Sequence, residues 1–389
     1  MLPTPAELVI GTTPVAYFGA GSIARLPALI AASGGRSALV VTDGALAGTG
    51  VIAAVTDLLS AADIPATVFS GVQPNPTTTD LAAGAAATAG LADMAPVVVA
   101  VGGGSPIDAA KGIALASVNS QRGRELDYRS DFAVPALPLL AVPTTAGTGA
   151  ETNAFGVVTD EQQHRKFYVG HASTMPAAAI LDPDLTTGLP PGPTAATGMD
   201  ALTHALESYL SVRASPWSAG VALQVVRMVS EFLPRAVADG ADAEARGQML
   251  LAAHMAGIAM ASTGLGACHA IGHALGGRFN LPHGVALTMV LPQVLSFSRP
   301  VSVDRLAELA FALGAGKTAA DADVNASAAI SAITSLAESV GMKHRLADFG
   351  IGADQFEQIA HDALDDEVLA NAPLKPTAED IGRILAAVS

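Results

Sequence analysis

The sequence predicts an α/β N-terminal domain with a parallel, Rossmann-like sheet, followed by an all-α C-terminal domain. In the first half, short runs rich in β-branched residues alternate with Ala- and Leu-rich stretches of helical spacing. Such alternation is typical of a parallel sheet covered by helices. From residue 188 onward the sequence is patterned as helix almost throughout. Its 389 residues also exceed the length of a usual single domain.

The predicted strands are short apolar runs bounded by turn residues, at positions 37–42, 66–70, 97–101 and 136–142. Helical spacing occupies 50–62 and 80–90 between them. The proline-rich segment at 189–193 is a stiff turn that separates the two halves. We therefore expect one domain at 1–187 and a second, helical domain at 188–389.

Composition excludes several classes of function. The formal charge of −15 argues against nucleic acid or an anionic membrane surface as a partner, because both attract basic patches. Cys268 is the only cysteine, so neither an intrachain disulfide nor a thiolate metal cluster can form. The N-terminal MLPTPAELVIG lacks a signal-peptide pattern, and the uncharged stretches 132–150 and 247–277 fit buried elements better than membrane spans. We expect a soluble, cytoplasmic protein.

A glycine-rich loop follows the strand predicted at 97–101. Gly102, Gly103 and Gly104 allow the backbone to turn sharply and approach a ligand, and Ser105 can cap the helix that follows. The amide groups at the start of that helix would then face a pyrophosphate. The pattern is neither the G-x-G-x-x-G fingerprint nor a Walker A loop, and a plain tight turn is the alternative interpretation.

Two further strand ends carry polar residues that suit a dinucleotide. Thr144 and Thr145 begin a second glycine-containing loop after the strand at 136–142. Asp43 ends the strand at 37–42, where a carboxylate would bind a ribose diol and repel a 2′-phosphate. This arrangement favours NAD over NADP, and a helix cap is the other interpretation of Asp43.

Five residues in the helical half have the types and spacing of metal ligands. Asp200 and His204 stand four residues apart, as do His269 and His273, so each pair projects from one helix face; His283 follows ten residues later. One such histidine alone would more often be structural. One carboxylate with several imidazoles suits iron(II), zinc, manganese or cobalt. Four ligands suffice, and the spacing does not say which histidine is left over.

These motifs resemble the iron-containing (group III) alcohol dehydrogenases. The likeness runs through most of the chain, in the order and spacing of that family: GGGSPIDAAK at 102–111, PTTAGTGAE at 143–151, DPDLT at 182–186, GMDALTHALESY at 198–209 and HAIGHALGGRFNLPHG at 269–284. The resemblance implies a dehydroquinate synthase-like architecture, with a dinucleotide-binding domain, a helical metal-binding domain, and the metal and nicotinamide in the cleft between them. We also expect a homodimer or a higher homo-oligomer.

The resemblance assigns roles residue by residue. It implies that the metal, iron(II) with zinc as the alternative, is held by Asp200, His204, His269 and His283. It places His273 near the nicotinamide as a candidate catalytic residue rather than a ligand. The candidate residues for NAD(H) binding are Asp43, Asn75, Gly102, Gly103, Gly104, Ser105, Asp108, Thr144, Thr145 and Lys166.

The implied function is hydride transfer between a nicotinamide cofactor and a small primary alcohol or aldehyde. One alternative is a reductase of a small oxo-acid or anionic aldehyde, for which Arg278 is a candidate contact unless it forms a salt bridge. Others are a dehydroquinate-synthase-like elimination and a noncatalytic metal or nucleotide sensor. The sequence departs from the family near 152–155 and 371–375, and it does not identify the substrate.

Overall fold

The structure, a computed structural model, describes residues 14–162 and 165–389. The N-terminal segment in which we expect no signal peptide lies outside these residues. The described part of the chain separates into two compact units, one ending at Gly188 and the other beginning at Leu189. We consider each unit by itself.

Among the described residues, the first unit contains a six-stranded parallel sheet and a two-stranded antiparallel hairpin. The sheet order is β1-β8-β5-β4-β2-β3, and β6 pairs with β7. The strands are β1 Val15–Phe18, β2 Ser37–Asp43, β3 Ala66–Val72, β4 Pro96–Gly102, β5 Leu139–Pro143, β6 Phe155–Asp160, β7 Arg165–Gly170 and β8 Ala178–Leu181.

Helices cover both faces of this sheet, so its central strands are buried along their whole length. Alternate residues of β4 point to opposite faces: Val98 packs with Ile113 on one side, and Val99 packs with Leu59 on the other. This two-sided burial explains why the central strands read as continuous apolar runs. The helices are α1 Leu26–Ala32, α2 Gly44–Ala47, α3 Gly50–Ala61, α4 Thr78–Ala87 and α5 Gly104–Ala116.

The order of the strands creates a switch point between β2 and β4. From β2 the chain adds β3 on one side, then returns to add β4 and β5 on the other. Val41 pairs with Ala100 and Gly102 pairs with Pro143, so the carboxyl ends of these strands share one edge. Open parallel sheets bind ligands at such an edge.

The second unit is helical throughout its described length, apart from short 3₁₀ turns and loops. The long helix α6 packs against α7, α8 and α10. Gly198 permits the close approach on one side, because a Cβ there would lie 2.2 Å from a Leu233 methyl group. The helices are α6 Pro191–Leu210, α7 Pro216–Ala238, α8 Ala243–Thr263, α9 Ala267–Phe279, α10 His283–Ala312, α11 Ala322–Ser339, α12 Phe356–Leu364 and α13 Ala378–Ala386.

In the described parts of the chain, no single helix combines the length and apolar character needed to cross a membrane. The pair α8 and α9 meets that criterion only jointly, and the two helices are bent by 105°. Most of their residues are buried within the helical unit.

The predicted fold class is confirmed, and the four predicted strands correspond to β2, β3, β4 and β5. The strand predicted from residue 136 begins at Leu139. The helix α5 begins at Gly104 with Gly103 as its N-cap, so the expectation that Ser105 caps this helix is wrong. Ser105 instead lies in the first turn of that helix.

A buried lysine on α5 holds the segment after β5 in place. The Lys111 side chain is fully buried, and its Nζ donates to the carbonyl oxygens of Ala150 and Phe155 at 2.7 and 2.6 Å and to Asn153 Oδ1 at 3.1 Å. Its Nζ lies 3.8 Å from Asp108 Oδ1. Burial lowers the pKa of Lys111 to about 8, although the Asp108 charge opposes that shift.

We predict that Lys111→Met lowers the free energy of unfolding by about 3 kcal/mol, because it leaves the Asp108 carboxylate and three oxygen acceptors without their buried cation. Urea unfolding followed by circular dichroism measures the loss. The matched control is Lys343→Met, since Lys343 pairs with Glu338 at the surface and should contribute little. Equal unfolding midpoints for the two variants would contradict the role given to Lys111.

Candidate metal centre and cofactor loops

The helix α6 supplies two of the predicted ligands from one face. Asp200 and His204 are one turn apart on this helix, and both are almost completely buried. His204 Nε2 lies 3.4 Å from Asp200 Oδ1. The helical spacing read from the sequence therefore corresponds to two side chains that meet in the interior of the unit.

The helices α9 and α10 bring two more imidazoles to the same carboxylate. Nε2 of His269 and Nε2 of His283 each lie 3.7 Å from Asp200 Oδ1. His269 is fully buried, whereas the His283 side chain is about one-third exposed. Asp200, His269 and His283 can each present a ligand atom within 4.8 Å of the others, and they form such a group among the described residues. His204 lies beside this group, with its ring stacked on that of His269.

The position of His283 depends on the glycine that follows it. A Cβ on Gly284 would lie 2.1 Å from the carbonyl oxygen of Ala196 on α6. Only glycine permits this backbone approach, which sets the first residue of α10 against the helix that carries Asp200. The sequence signal Pro-His-Gly thus has a packing reason as well as a chemical one.

Asp200 Oδ1 and His269 Nε2 are buried polar atoms of the cluster that make no hydrogen bond within the described residues. Buried polar atoms are costly unless they are paired. A cation bound between these atoms would satisfy both. One carboxylate with imidazole nitrogens is a donor set that suits iron(II) or zinc. The residues present therefore fit a divalent metal ion.

The electrostatics of the cluster also favour a bound cation. Burial raises the pKa of Asp200, but the positive imidazoles of His204, His283 and His269 outweigh it and hold the pKa below its usual range. Burial lowers the pKa of His269, yet the Glu207 and Asp200 carboxylates raise it to about 9. The lowered pKa of Asp200 and the raised pKa of His269 both mean that the carboxylates of the cluster favour positive charge beside them.

Two carboxylates that we did not predict bind the histidines of α9. His269 Nδ1 donates to Glu207 Oε2 at 2.6 Å, and His273 Nδ1 donates to Asp366 Oδ2 at 2.7 Å. Glu207 follows His204 by three residues on α6, so the helical period already placed it on the face that carries the ligands. Asp366 lies beyond α12, and no local pattern connects it with His273.

His273 lies outside the group of three that can share one ion. Its ring stacks on that of His283, with centroids 5.5 Å apart, and its Nδ1 is taken by Asp366. The His273 side chain is 14% exposed. It therefore borders the cluster without belonging to the three-residue group.

The two glycine-containing loops of the first unit pack together. Thr144 N–H donates to the carbonyl oxygen of Gly102 at 2.9 Å. A Cβ on Gly103 would lie 3.2 Å from the Thr145 side chain, and a Cβ on Gly104 would lie 2.7 Å from Thr148. Helix α5 has no side chain bonded at its N-cap. An uncapped helix start at the carboxyl edge of a parallel sheet is a site where a phosphate fits.

The remaining cofactor candidates have protein contacts of their own. Asp43 is the N-cap of α2 and accepts from Leu46 N–H at 2.8 Å, the capping interaction that was the alternative interpretation. Lys166 Nζ donates to Asn75 Oδ1 at 3.0 Å, so these two candidates lie together. Asp108 Oδ2 accepts from Val157 N–H at 3.0 Å, which fixes α5 against β6. Burial raises the pKa of Asp108.

Arg278, the candidate contact for an anionic substrate, forms an inter-helix ion pair. Its Nε donates to Asp362 Oδ2 at 3.0 Å, and its Nη2 contacts the same oxygen at 2.5 Å. Asp362 lies on α12, so the pair links α9 to α12. Gln358 also donates to Asp362, at 3.0 Å.

Comparison with known proteins identifies the family. Residues 13–183 match the family model described as iron-containing alcohol dehydrogenase, and residues 194–389 match the C-terminal model of the Fe-containing alcohol dehydrogenase family. The chain belongs to the iron-containing alcohol dehydrogenases. It is therefore an oxidoreductase of the alcohol dehydrogenase type.

Individual relatives cover nearly the whole chain. The chain is 39% identical to a probable alcohol dehydrogenase, EutG, of Salmonella typhimurium, over 96% of this chain and 93% of the relative. It is 34% identical to the NAD-dependent methanol dehydrogenase of Bacillus methanolicus, over 96% and 97%. Among solved structures, a 1,3-propanediol oxidoreductase superposes with a TM-score of 0.93 at 35% identity, over 97% and 98%.

We predict that Asp200→Ala removes most of the metal and abolishes turnover while the fold survives, because it deletes the carboxylate on which three imidazoles converge. Metal analysis after dialysis, circular dichroism and an activity assay measure the three properties. The control is His361→Ala, which removes an exposed histidine of α12 and should keep the wild-type metal content. Full metal occupancy and full activity in Asp200→Ala would remove Asp200 from the ligand set.

Proposed function

We propose that this iron-containing alcohol dehydrogenase is NAD-dependent and interconverts a small primary alcohol and its aldehyde. The observation that carries the proposal is the buried carboxylate of Asp200 with imidazole nitrogens at 3.4–3.7 Å. The names of relatives support the substrate class, since one acts on methanol with NAD and another is a lactaldehyde reductase. The chain could be a noncatalytic sensor only if it had lost the reaction of the dehydrogenase family to which it belongs.

The proposed metal ligands are Asp200, His204, His269 and His283. The family description supports iron(II), and zinc is the alternative. When bound, the ion would supply a Lewis acid that polarises the substrate oxygen. Asp200 provides the only carboxylate of the set. Because Asp200 is buried, bulk water does not compete with the ion for the carboxylate oxygen.

The proposed NAD site is formed by the loops of the first unit. The glycine loop before α5 and the Thr144–Thr145 dipeptide suit a pyrophosphate, because the first turn of α5 presents backbone N–H groups and the positive end of the helix dipole. Asp43 suits the ribose diol, and the pair Asn75–Lys166 offers an amide and an ammonium group. The proposed contacts also include Ser105, Asp108, Gly102, Gly103 and Gly104. The nicotinamide would supply the hydride acceptor.

His273 is the proposed proton carrier. Its Nδ1 donates to Asp366 Oδ2, so the neutral ring carries its proton on Nδ1 and its lone pair on Nε2. The low exposure of the ring fits a proton that leaves through an ordered path rather than directly into bulk water. Asp366 would stabilise the protonated ring.

The alternative substrate class, an oxo-acid or an anionic aldehyde, receives less support. Its candidate cation was Arg278, whose guanidinium is bonded to Asp362.

We further propose a dinucleotide-binding domain at 1–187, a metal-binding domain at 188–389, a homodimer or higher homo-oligomer, and a cytoplasmic location. Nucleic acid and membranes are not among the proposed partners.

The testing experiment loads the metal-free protein with iron(II) or zinc and mixes it with NAD and a panel of alcohols, diols and hydroxy acids. Absorbance of reduced cofactor reports turnover. The proposal expects small primary alcohols to be oxidised and the matching aldehydes to be reduced. Absence of turnover with every alcohol, for both metals and in both directions, would refute it. A preference for hydroxy acids would favour the alternative substrate class.

We predict that His273→Ala keeps stoichiometric metal but loses about 10²–10⁴-fold in turnover number, with an altered pH–rate profile. The reason is that its ring borders the cluster while Asp366 holds its Nδ1. Metal analysis and steady-state kinetics across pH measure these properties. If the variant loses its metal together with its activity, His273 is a ligand and the assignment fails.

We predict a preference for NAD over NADP that depends on the charge of Asp43. Asp43→Asn retains an oxygen for the Leu46 N–H but removes the charge that would repel a 2′-phosphate, so the preference should relax by about tenfold or more. Asp43→Gly should relax it as well, at a small cost to the cap. The ratio of kcat/KM for the two cofactors measures the effect. Equal efficiency with both cofactors in the unmutated protein would contradict the prediction.

A further inference from the structure

Glu207 is a buried carboxylate that receives three hydrogen bonds at one point of the helical unit. Its Oε1 accepts from Cys268 N–H at 2.7 Å, and its Oε2 accepts from Gly266 N–H at 2.8 Å and from His269 Nδ1–H at 2.6 Å. The residue is 8% exposed. All three donors belong to the start of α9, whereas Glu207 itself lies on α6.

The position of Glu207 on α6 links it to the other candidate ligands. It follows His204 by three residues and Asp200 by seven, so all three side chains lie on the same helix face. One face of α6 therefore carries two proposed ligands and the carboxylate that holds a third. Gly266 leaves room for this contact, because a Cβ there would lie 2.9 Å from Glu207 Oε1.

The hydrogen bond to His269 has a chemical consequence for the opposite ring nitrogen. An ionised carboxylate can only accept, so it keeps the proton of neutral His269 on Nδ1. Nε2 then carries a lone pair, and this is the nitrogen that lies 3.7 Å from Asp200 Oδ1. A carboxylate bonded to the distal nitrogen of a ligating histidine fixes the tautomer and the ring orientation.

We propose that Glu207 is a positioning residue for the metal centre, which holds His269 in the tautomer and orientation that bind the ion. This inference rests on the proposed metal site. The competing explanation is a structural one, in which Glu207 serves only to cap α9 through the two backbone N–H groups. The two explanations differ in what a change at Glu207 does to metal binding.

The test is Glu207→Gln in the full chain. Glutamine has one acceptor oxygen for three donors, and its amide group can donate to His269 Nδ1, which would move the ring proton to Nε2. We expect the affinity for zinc(II), measured by competition with a chromophoric chelator, to fall by about 10–100-fold. The d–d absorption of the cobalt(II)-loaded variant should also differ from that of the wild type.

The matched control is Asp182→Asn. Asp182 is a fully buried carboxylate whose oxygens accept from the backbone N–H groups of Gly21, Ile23 and Asp184. It belongs to the first unit, whereas the histidines of the cluster belong to the second. Losing this cap should lower the thermal midpoint but leave zinc affinity and the cobalt spectrum unchanged.

The outcomes separate the two explanations. If Glu207→Gln lowers the thermal midpoint but keeps wild-type zinc affinity and the wild-type cobalt spectrum, Glu207 only caps α9 and the inference is wrong. If Glu207→Gln does not fold, Glu207→Asp tests the same point, since it keeps the charge but withdraws the carboxylate from His269. Unchanged affinity and spectrum in that variant would also overturn the inference. Failure of the wild-type protein to bind zinc or cobalt at one per chain would instead refute the proposed metal site.

Discussion

The helical unit depends on one electrostatic constraint, which is that a carboxylate oxygen is buried among three imidazole nitrogens. Asp200 Oδ1 lies 3.4–3.7 Å from Nε2 of His204, His269 and His283, and it makes no hydrogen bond within the described residues. Burying such a group is costly unless a cation or a donor compensates it. Three helices must therefore converge closely, which explains Gly284, where the backbone of Ala196 would exclude a Cβ.

The two units solve different recognition problems with different chemical groups. A phosphate can be bound by backbone N–H groups, which a parallel sheet presents where its strands lead into helices. A metal ion instead requires side chains with lone pairs at fixed positions, and these are best held on packed helices. In the first unit a side chain fixes the backbone, because the buried ammonium group of Lys111 donates to backbone oxygens of the segment after β5. In the second unit a side chain fixes another side chain, because Glu207 binds His269.

The sequence predicted the elements whose burial leaves a strong pattern. The strands β2, β4 and β5 are buried on both faces, so they appear as continuous apolar runs. The strands β1, β6, β7 and β8 were not predicted. β1 is four residues long and largely exposed, and β6 alternates between buried and exposed positions within a short hairpin. β1 pairs with β8, which lies far along the chain, so that pairing leaves little local signal. The start of α5 was misplaced because glycine, rather than serine, provides its N-cap.

The two histidines of α9 show what the spacing of residues in the sequence does not predict. His269 and His273 are one turn apart on α9, and each donates its Nδ1–H to a carboxylate. By residue type, spacing and hydrogen bonding they are equivalent, yet only His269 belongs to the group that can share one ion. The difference lies in what faces the other nitrogen, which is set by helix packing between residues 200, 269 and 283. Glu207 was within reach of sequence reasoning, because it continues the helical face of Asp200 and His204. Asp366 was not, because 93 residues separate it from His273 and only the tertiary fold brings the two side chains together.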